Sequence, residues 1–197
     1  LMWWGTLSGP VAPPGDYTVE LAVGGDTLVS SFELLMDPRA ECSREDCIAQ
    51  FDFLKSIRDK VDETHDAIRH MRSVKSQVSG LIGRLDEDGY PAIFEEGRAL
   101  DSLMTAVEEV LYQTKLKSNQ DMLNFPIKLN NKLAHVGSLA SMGVYAPTEQ
   151  MVGVRDEVTA LIDTELAKWH ALRDERLPAF NALIRESAID LIGVPEN

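Results

Sequence analysis

The sequence predicts a mainly α chain: an antiparallel four-helix bundle preceded by a β-hairpin that ends a truncated β-sandwich. Three observations carry this prediction. Residues 17–23 set Tyr17, Val19, Leu21 and Val23 against Thr18, Glu20 and Ala22, the alternation of a half-buried strand. Beyond Asp37-Pro38 the apolar period lengthens to that of a helix and keeps it to the end. The helical stretches are separated by turn-forming segments: "DEDGYP" at 86–91, an asparagine-rich corner from Ser118, and "GVYAP" at 143–147. Residues 1–38 are therefore assigned to the hairpin and 39–197 to the bundle.

The hairpin is entered through "PVAPPG", a stiff extended lead-in. Gly24-Gly25-Asp26 supplies the positive φ of a tight turn. "TLVSSFELLM" returns with Leu28, Phe32, Leu34 and Met36 among its apolar positions. Two strands alone are marginal in water, and Trp3 and Trp4 upstream also call for burial. The expectation is cover from earlier strands of a sandwich N-terminal to Leu1, from the helical region, or from a second chain. The chain begins with Leu1, with no basic start or cleavage site near it, and reads as a piece that starts mid-protein or as a mature form.

Ser43 followed by Asp46 predicts a capped helix start, with Asp in place of the usual Glu. Cys42 and Cys47 then occupy the two hydrophobic-staple positions. They read either as a disulfide that locks the helix start or as two free thiols acting as small apolar residues. The first helix is expected from Ser43 to about Gly80, spanning ~55 Å at 1.5 Å per residue. Its stripe uses Leu54, Val61, Ile68 and Ile82 in one register and Ile57, Met71, Val78 and Leu85 in the other, interrupted by Thr64 and Lys75. The second helix is expected over about 91–117, with Ile93, Leu100, Met104, Val107 and Leu111 inward. The third is expected over about 126–142, with Ile127, Leu129, Leu133, Val136 and Leu139. The fourth starts at the N-cap candidate Thr148 and uses Met151, Val158, Leu161, Ile162, Trp169 and Leu172, until Pro178 kinks or breaks it. Further turns follow, with Phe180, Leu183 and Ile184 apolar.

With a formal charge of −13, the surface is acidic, which argues against nucleic acid and against an anionic membrane as partners. Solubility accounts for the acidity. No apolar run approaches the ~18 residues of a membrane span. No N-x-S/T glycosylation acceptor occurs.

Candidate chemistry is thin. Two cysteines do not make a metal set, and none of His65, His70, His135 and His170 follows a Glu by three residues, as a di-iron bundle site requires. Residues 84–95 superficially fit a calcium loop, but Arg84 stands where the first carboxylate belongs and Pro91 where a backbone N–H is needed. Glu95-Glu96 and Glu108-Glu109 read as a solvated face, since adjacent helical residues diverge. No catalytic residue, metal or cofactor is predicted. In the corner, Pro126 suits a first helical turn and Asn124 can cap it, while Asp121 or Asn119 orders the preceding turn. Asn130 and Asn131 can reach backbone groups of a neighbouring helix or of the preceding loop. The alternative is a polar binding site for a peptide or glycan.

Four segments together resemble a known family. "GPVAPPGDYTVELAVGGDT" is similar to the lead-in and hairpin near the end of large bacterial proteins with sortilin-like, BNR-repeat β-propellers, often labelled glycosyl-hydrolase-like. "DPRAECSREDCIAQFDFLKSIRDKVDETHDAIRHMR" resembles the helix that follows, and "QTKLKSNQDMLNFPIKLNNKLA" is the most specific match. "LPAFNALIRE" is similar too. The resemblance implies a sandwich end plus helical bundle from the C-terminal region of an exported protein. Hydrolase or sugar-binding activity would belong to the propeller, which this chain lacks. The family tends to carry ordinary apolar residues at the staple positions, so Cys42 and Cys47 depart from it and favour an oxidising compartment. The function expected is that of a non-catalytic structural or interaction module. Its partner would be another protein or its own further N-terminal domains. Alternatives are an accessory to a glycan-acting propeller, or a self-associating oligomerisation bundle.

Overall fold

A computed structural model describes residues 9–118 and 120–189; Trp3, Trp4 and Asn119 lie outside them. The chain is mainly helical, with a two-stranded antiparallel hairpin ahead of four main helices. The hairpin comprises β1 (Gly15–Val23) and β2 (Asp26–Leu34), paired from Gly15↔Leu34 to Val23↔Asp26. Gly24 at φ 60° and Gly25 at φ 99° make the two-residue turn, whose twist matches that of the strands.

Helix α1 (Arg44–Ile82) starts where the sequence places it. The Ser43 hydroxyl accepts from Asp46 N at 3.1 Å, and the Asp46 carboxylate accepts from Ser43 N at 2.9 Å, so the capping box closes with Asp. Both stripe registers contribute to the core, Ile57, Val61, Ile68, Met71 and Val78 among them. The two polar interruptions are accommodated differently. Thr64 is fully buried and returns its hydroxyl to Lys60 O at 2.7 Å. Lys75 reaches across to Thr105 Oγ1 at 2.6 Å.

The other helices are α2 (Pro91–Leu111), α3 (Leu129–Ala140), α4 (Glu149–Ala171) and α5 (Leu177–Glu186). They form an antiparallel bundle with three lanes. Lys75 meets Thr105 and Arg72 meets Glu108, so α2 descends the upper half of α1. Asn130 meets His65 and Gln50 meets Ala140, so α3 descends the lower half in the same direction. Helices α2 and α3 therefore lie end to end along α1. Arg155 meets Ser56 and Lys60 meets Asp163, so α4 climbs back parallel to α1. The lengths match: α1 spans about 58 Å, and the continuous run from α4 through α5 about 55 Å. The cross-lane core includes Met71, Leu100, Met104, Leu133, Ile162 and Trp169.

Two boundaries differ from the expectation. Helix α2 ends at Leu111, six residues short of Lys117, because Tyr112 turns extended at ψ 140°. Helix α3 starts at Leu129, with Lys128 as an extended N-cap that makes no side-chain cap bond. Pro126 is therefore not in the first helical turn, and Asn124 does not cap α3. The cause is Gln113, which is buried and donates from Nε2 to Pro126 O at 2.8 Å. A helix begun at Pro126 would need that carbonyl for the Asn130 N–H.

Pro178 leaves the last lane unbroken. A π turn over Leu172–Arg176 precedes it, and Leu177 N bonds back five residues to Leu172 O. The wider turn accommodates a proline that cannot donate to the carbonyl four residues behind it.

Candidate functional site

The first surface of interest is the hairpin. Its register places Tyr17 beside Phe32, Val19 beside Ser30, and Leu21 beside Leu28 on one face, with Val23 at the turn. Tyr17 and Phe32 stack with centroids 5.8 Å apart, and the Tyr17 hydroxyl donates to Pro13 O at 2.6 Å. The face is otherwise open: Leu21 is 56% exposed, Leu28 67% and Phe32 51%. Neither strand packs against a helix. Of the three kinds of cover expected, the bundle does not supply one. The opposite face carries Asp16, Thr18, Glu20, Ser31 and Glu33, and Asp16 stands directly across from Glu33. Asp16, Glu20, Asp26 and Glu33 make no ion pair among the described residues.

The hairpin is carried on a short neck. Arg44, the first residue of α1, donates from Nε to Pro14 O at 3.0 Å. The proline-rich lead-in and the connector after β2 then stand off from α1 and α3 and enclose a cleft of about 680 Å³. Its walls are mainly apolar, with Val11, Met36, Leu54, Ile57, Val61 and Val144 among them. That volume suits a drug-sized molecule or a short peptide.

At one end of the cleft lies His65. Asn130, 2% exposed, presents Nδ2 to His65 Nε2 at 3.0 Å. An amide nitrogen there donates to the ring, which puts the imidazole proton on Nδ1. Burial, with Arg69 nearby, holds His65 below its ordinary pKa, and Tyr112 meets the ring edge-on at 6.3 Å. Asn130 thus reaches a side chain on α1 through its amide nitrogen. Asn131 is buried beside it, whereas Asn124 is exposed on the outside of the excursion. Asp121 does order the preceding turn, accepting from Lys117 N at 2.6 Å and Ser118 N at 2.8 Å. Those bonds hold its carboxyl below the usual range. Among the described residues, Asn124 therefore lies in solvent and Asn130 and Asn131 in the core, and the three do not converge on one polar pocket.

Cys42 and Cys47 are free thiols on the cleft wall, with sulfurs 3.7 Å apart. His65 lies eighteen residues along the same helix from Cys47, about 27 Å away, so the two cannot form a cysteine–histidine catalytic pair. Among the described residues, no group of three or more His, Cys, Asp or Glu side chains is placed to hold a metal ion. The 84–95 segment is a structural turn: Asp86 accepts from Gly89 N at 3.0 Å, and Glu87 takes both arms of Arg98.

Glu95 and Glu109 lie on the solvated face expected of them, but the other member of each pair departs from it. Glu96 is partly buried and receives Arg176 Nη2 at 2.7 Å. Glu108 is 4% exposed, with Arg72 Nε at 2.7 Å and Lys75 Nζ at 3.7 Å. Both are cross-lane ties, and Asp101 shares the Lys75 ammonium with Glu108 at 3.8 Å.

No helix among the described residues is long and apolar enough to cross a membrane. In comparisons with family models, with curated proteins and with solved structures, nothing matches this chain.

Proposed function

We propose that the chain is a non-catalytic structural and interaction module, and that it sits at the C-terminal end of a larger exported β-propeller protein of the sortilin-like kind. The observation that supports this reading is the uncovered apolar face of the β1–β2 hairpin. Exposed apolar area is unfavourable by roughly 25 cal/mol per Å², and both strand edges hold unpaired backbone groups. Strands of a preceding β-sandwich would cover the face and extend the sheet along an edge. The bundle acts as the rigid mount that holds the hairpin by its neck.

Hydrogen exchange over residues 15–34 tests this. In the isolated chain those amides exchange fast; in the full-length polypeptide they become protected. Equal exchange in both overturns the reading. The second reading is self-association through the same face. Light scattering over a range of concentrations distinguishes it, since only self-association makes the mass rise.

A further inference from the structure

We propose that Cys42 and Cys47 are a thiol–disulfide exchange site that reacts with small disulfides and, once oxidised, ties the neck of the hairpin to the bundle. The sulfurs are already in contact at 3.7 Å. A disulfide needs them at about 2.05 Å, so closure takes a movement of about 1.7 Å. Cys42 can supply that movement because it lies in the coil between β2 and Ser43. Cys47 cannot, because it lies in the first turns of α1, fixed by the capping box. The two positions flank the helix start as a hydrophobic staple does, which aims both side chains at the same space.

The environments assign the order of attack. Cys47 is buried, and burial together with the contact to Cys42 raises its pKa. Cys42 is half-buried on the cleft wall, where a tripeptide-sized disulfide can approach it. The Cys42 thiolate attacks one sulfur of the disulfide R–S–S–R, forming a mixed disulfide and expelling R–S⁻. The Cys47 sulfur then attacks Cys42 Sγ and expels the second R–S⁻, which takes up the Cys47 proton. The dithiol is oxidised by two electrons and the small disulfide is reduced to two thiols.

The bond would close the connector onto α1 beside the Arg44–Pro14 contact. Hairpin carriage and cleft wall would then be fixed covalently. The pair is thus a control point for the interaction surface, and it stands whether or not the hairpin meets a sandwich.

The test is thiol–disulfide equilibration of the full chain with mixtures of oxidised and reduced glutathione, quenched by alkylation and read by mass spectrometry. The same chain in urea sets the baseline for an unconstrained pair at this spacing. The expected result is an internal disulfide favoured at least about tenfold over that baseline. Hydrogen exchange at residues 37–46 slows on oxidation. In Cys47→Ser, Cys42 accumulates the mixed disulfide; in Cys42→Ser, Cys47 reacts slowly. An internal bond no more favoured than in urea, or oxidation that stops at a mixed disulfide on Cys42, overturns the proposal. Faster reaction of Cys47 in Cys42→Ser than of Cys42 in Cys47→Ser overturns the order of attack.

Discussion

Leu21 in β1 is 56% exposed and Leu133 in α3 is 0% exposed, although both occupy the apolar phase of their element. The hairpin and the bundle follow their own periods equally well. They differ in what stands opposite. Each lane of the bundle faces two others, so most of each apolar stripe is covered from within the chain, although Leu139 and Leu161, expected inward, are 39% and 48% exposed. The two strands form one layer, and one layer has nothing of its own to pack on. A correct period therefore fixes the element, while burial depends on a second layer that the pattern does not reveal.

The contrast is broken most directly by truncating matched side chains. Leu133→Ala and Ile162→Ala are expected to destabilise by about 2–5 kcal/mol in urea unfolding. Leu21→Ala and Leu28→Ala should stay within about 0.5 kcal/mol of the parent. Comparable losses at the two sets would mean that the hairpin packs on the bundle in solution.

Removing one cross-lane tie is expected to do less. Glu108→Ala discards a charge-assisted hydrogen bond from Arg72, worth about 1.5–3 kcal/mol, and an ion pair with Lys75. The lower part of that range is expected, because the Arg72 side chain is 50% exposed and rehydrates. A urea midpoint unchanged from the parent would show that the tie contributes nothing.

Acid sharpens the comparison further, because the titrating groups with lowered pKa sit in the bundle, its caps and its loops. His65 is held below its ordinary value of 6.5, so the unfolded chain takes up that proton first as the pH falls. Its contribution to stability is complete above 6.5 and is lost on acidification through the lower folded value. Asp46 and Asp121 are held below 3.8 by their backbone hydrogen bonds, so theirs is lost in a second, lower window. Urea midpoints across a pH series should show both windows, and His65→Gln should erase the upper one alone. An upper window that survives the substitution assigns it to another group.

The smallest effect is expected from deleting residues 1–38. Helical circular dichroism per helical residue should be unchanged, since no strand packs on a helix. Its loss would sink the division between hairpin and bundle.

What could be read from the sequence was local. The capping box at Ser43, the Thr148 cap and the Gly24-Gly25 turn each depend on residues within a few positions of one another. The misplaced boundaries at Leu111 and Leu129 depend on Gln113 and Pro126, which pair across an excursion. Nothing near Gln113 in sequence marks it for burial. The cleft's polar end was illegible for a stronger reason: His65 and Asn130 meet across 65 positions. Adjacency also hid the inward glutamates, because Glu96 and Glu108 are told apart from Glu95 and Glu109 only by a cation on another helix.

The end-to-end placement of α2 and α3 has a consequence for how the chain tolerates insertions and deletions. The lanes act as a ruler, in which any change of length in α1 or α4 must be matched by its neighbours. The excursion between Tyr112 and Lys128 lies off that ruler, with Gln113 clasping its base to Pro126. Residues added between Ser118 and Phe125 would lengthen an external loop and leave every cross-lane contact in register. One residue added inside α1 at Val74 would rotate the upper half of its stripe by about 100°. Length variation in such a chain should therefore collect at mid-height on one side, and not at the ends where helix hairpins usually absorb it.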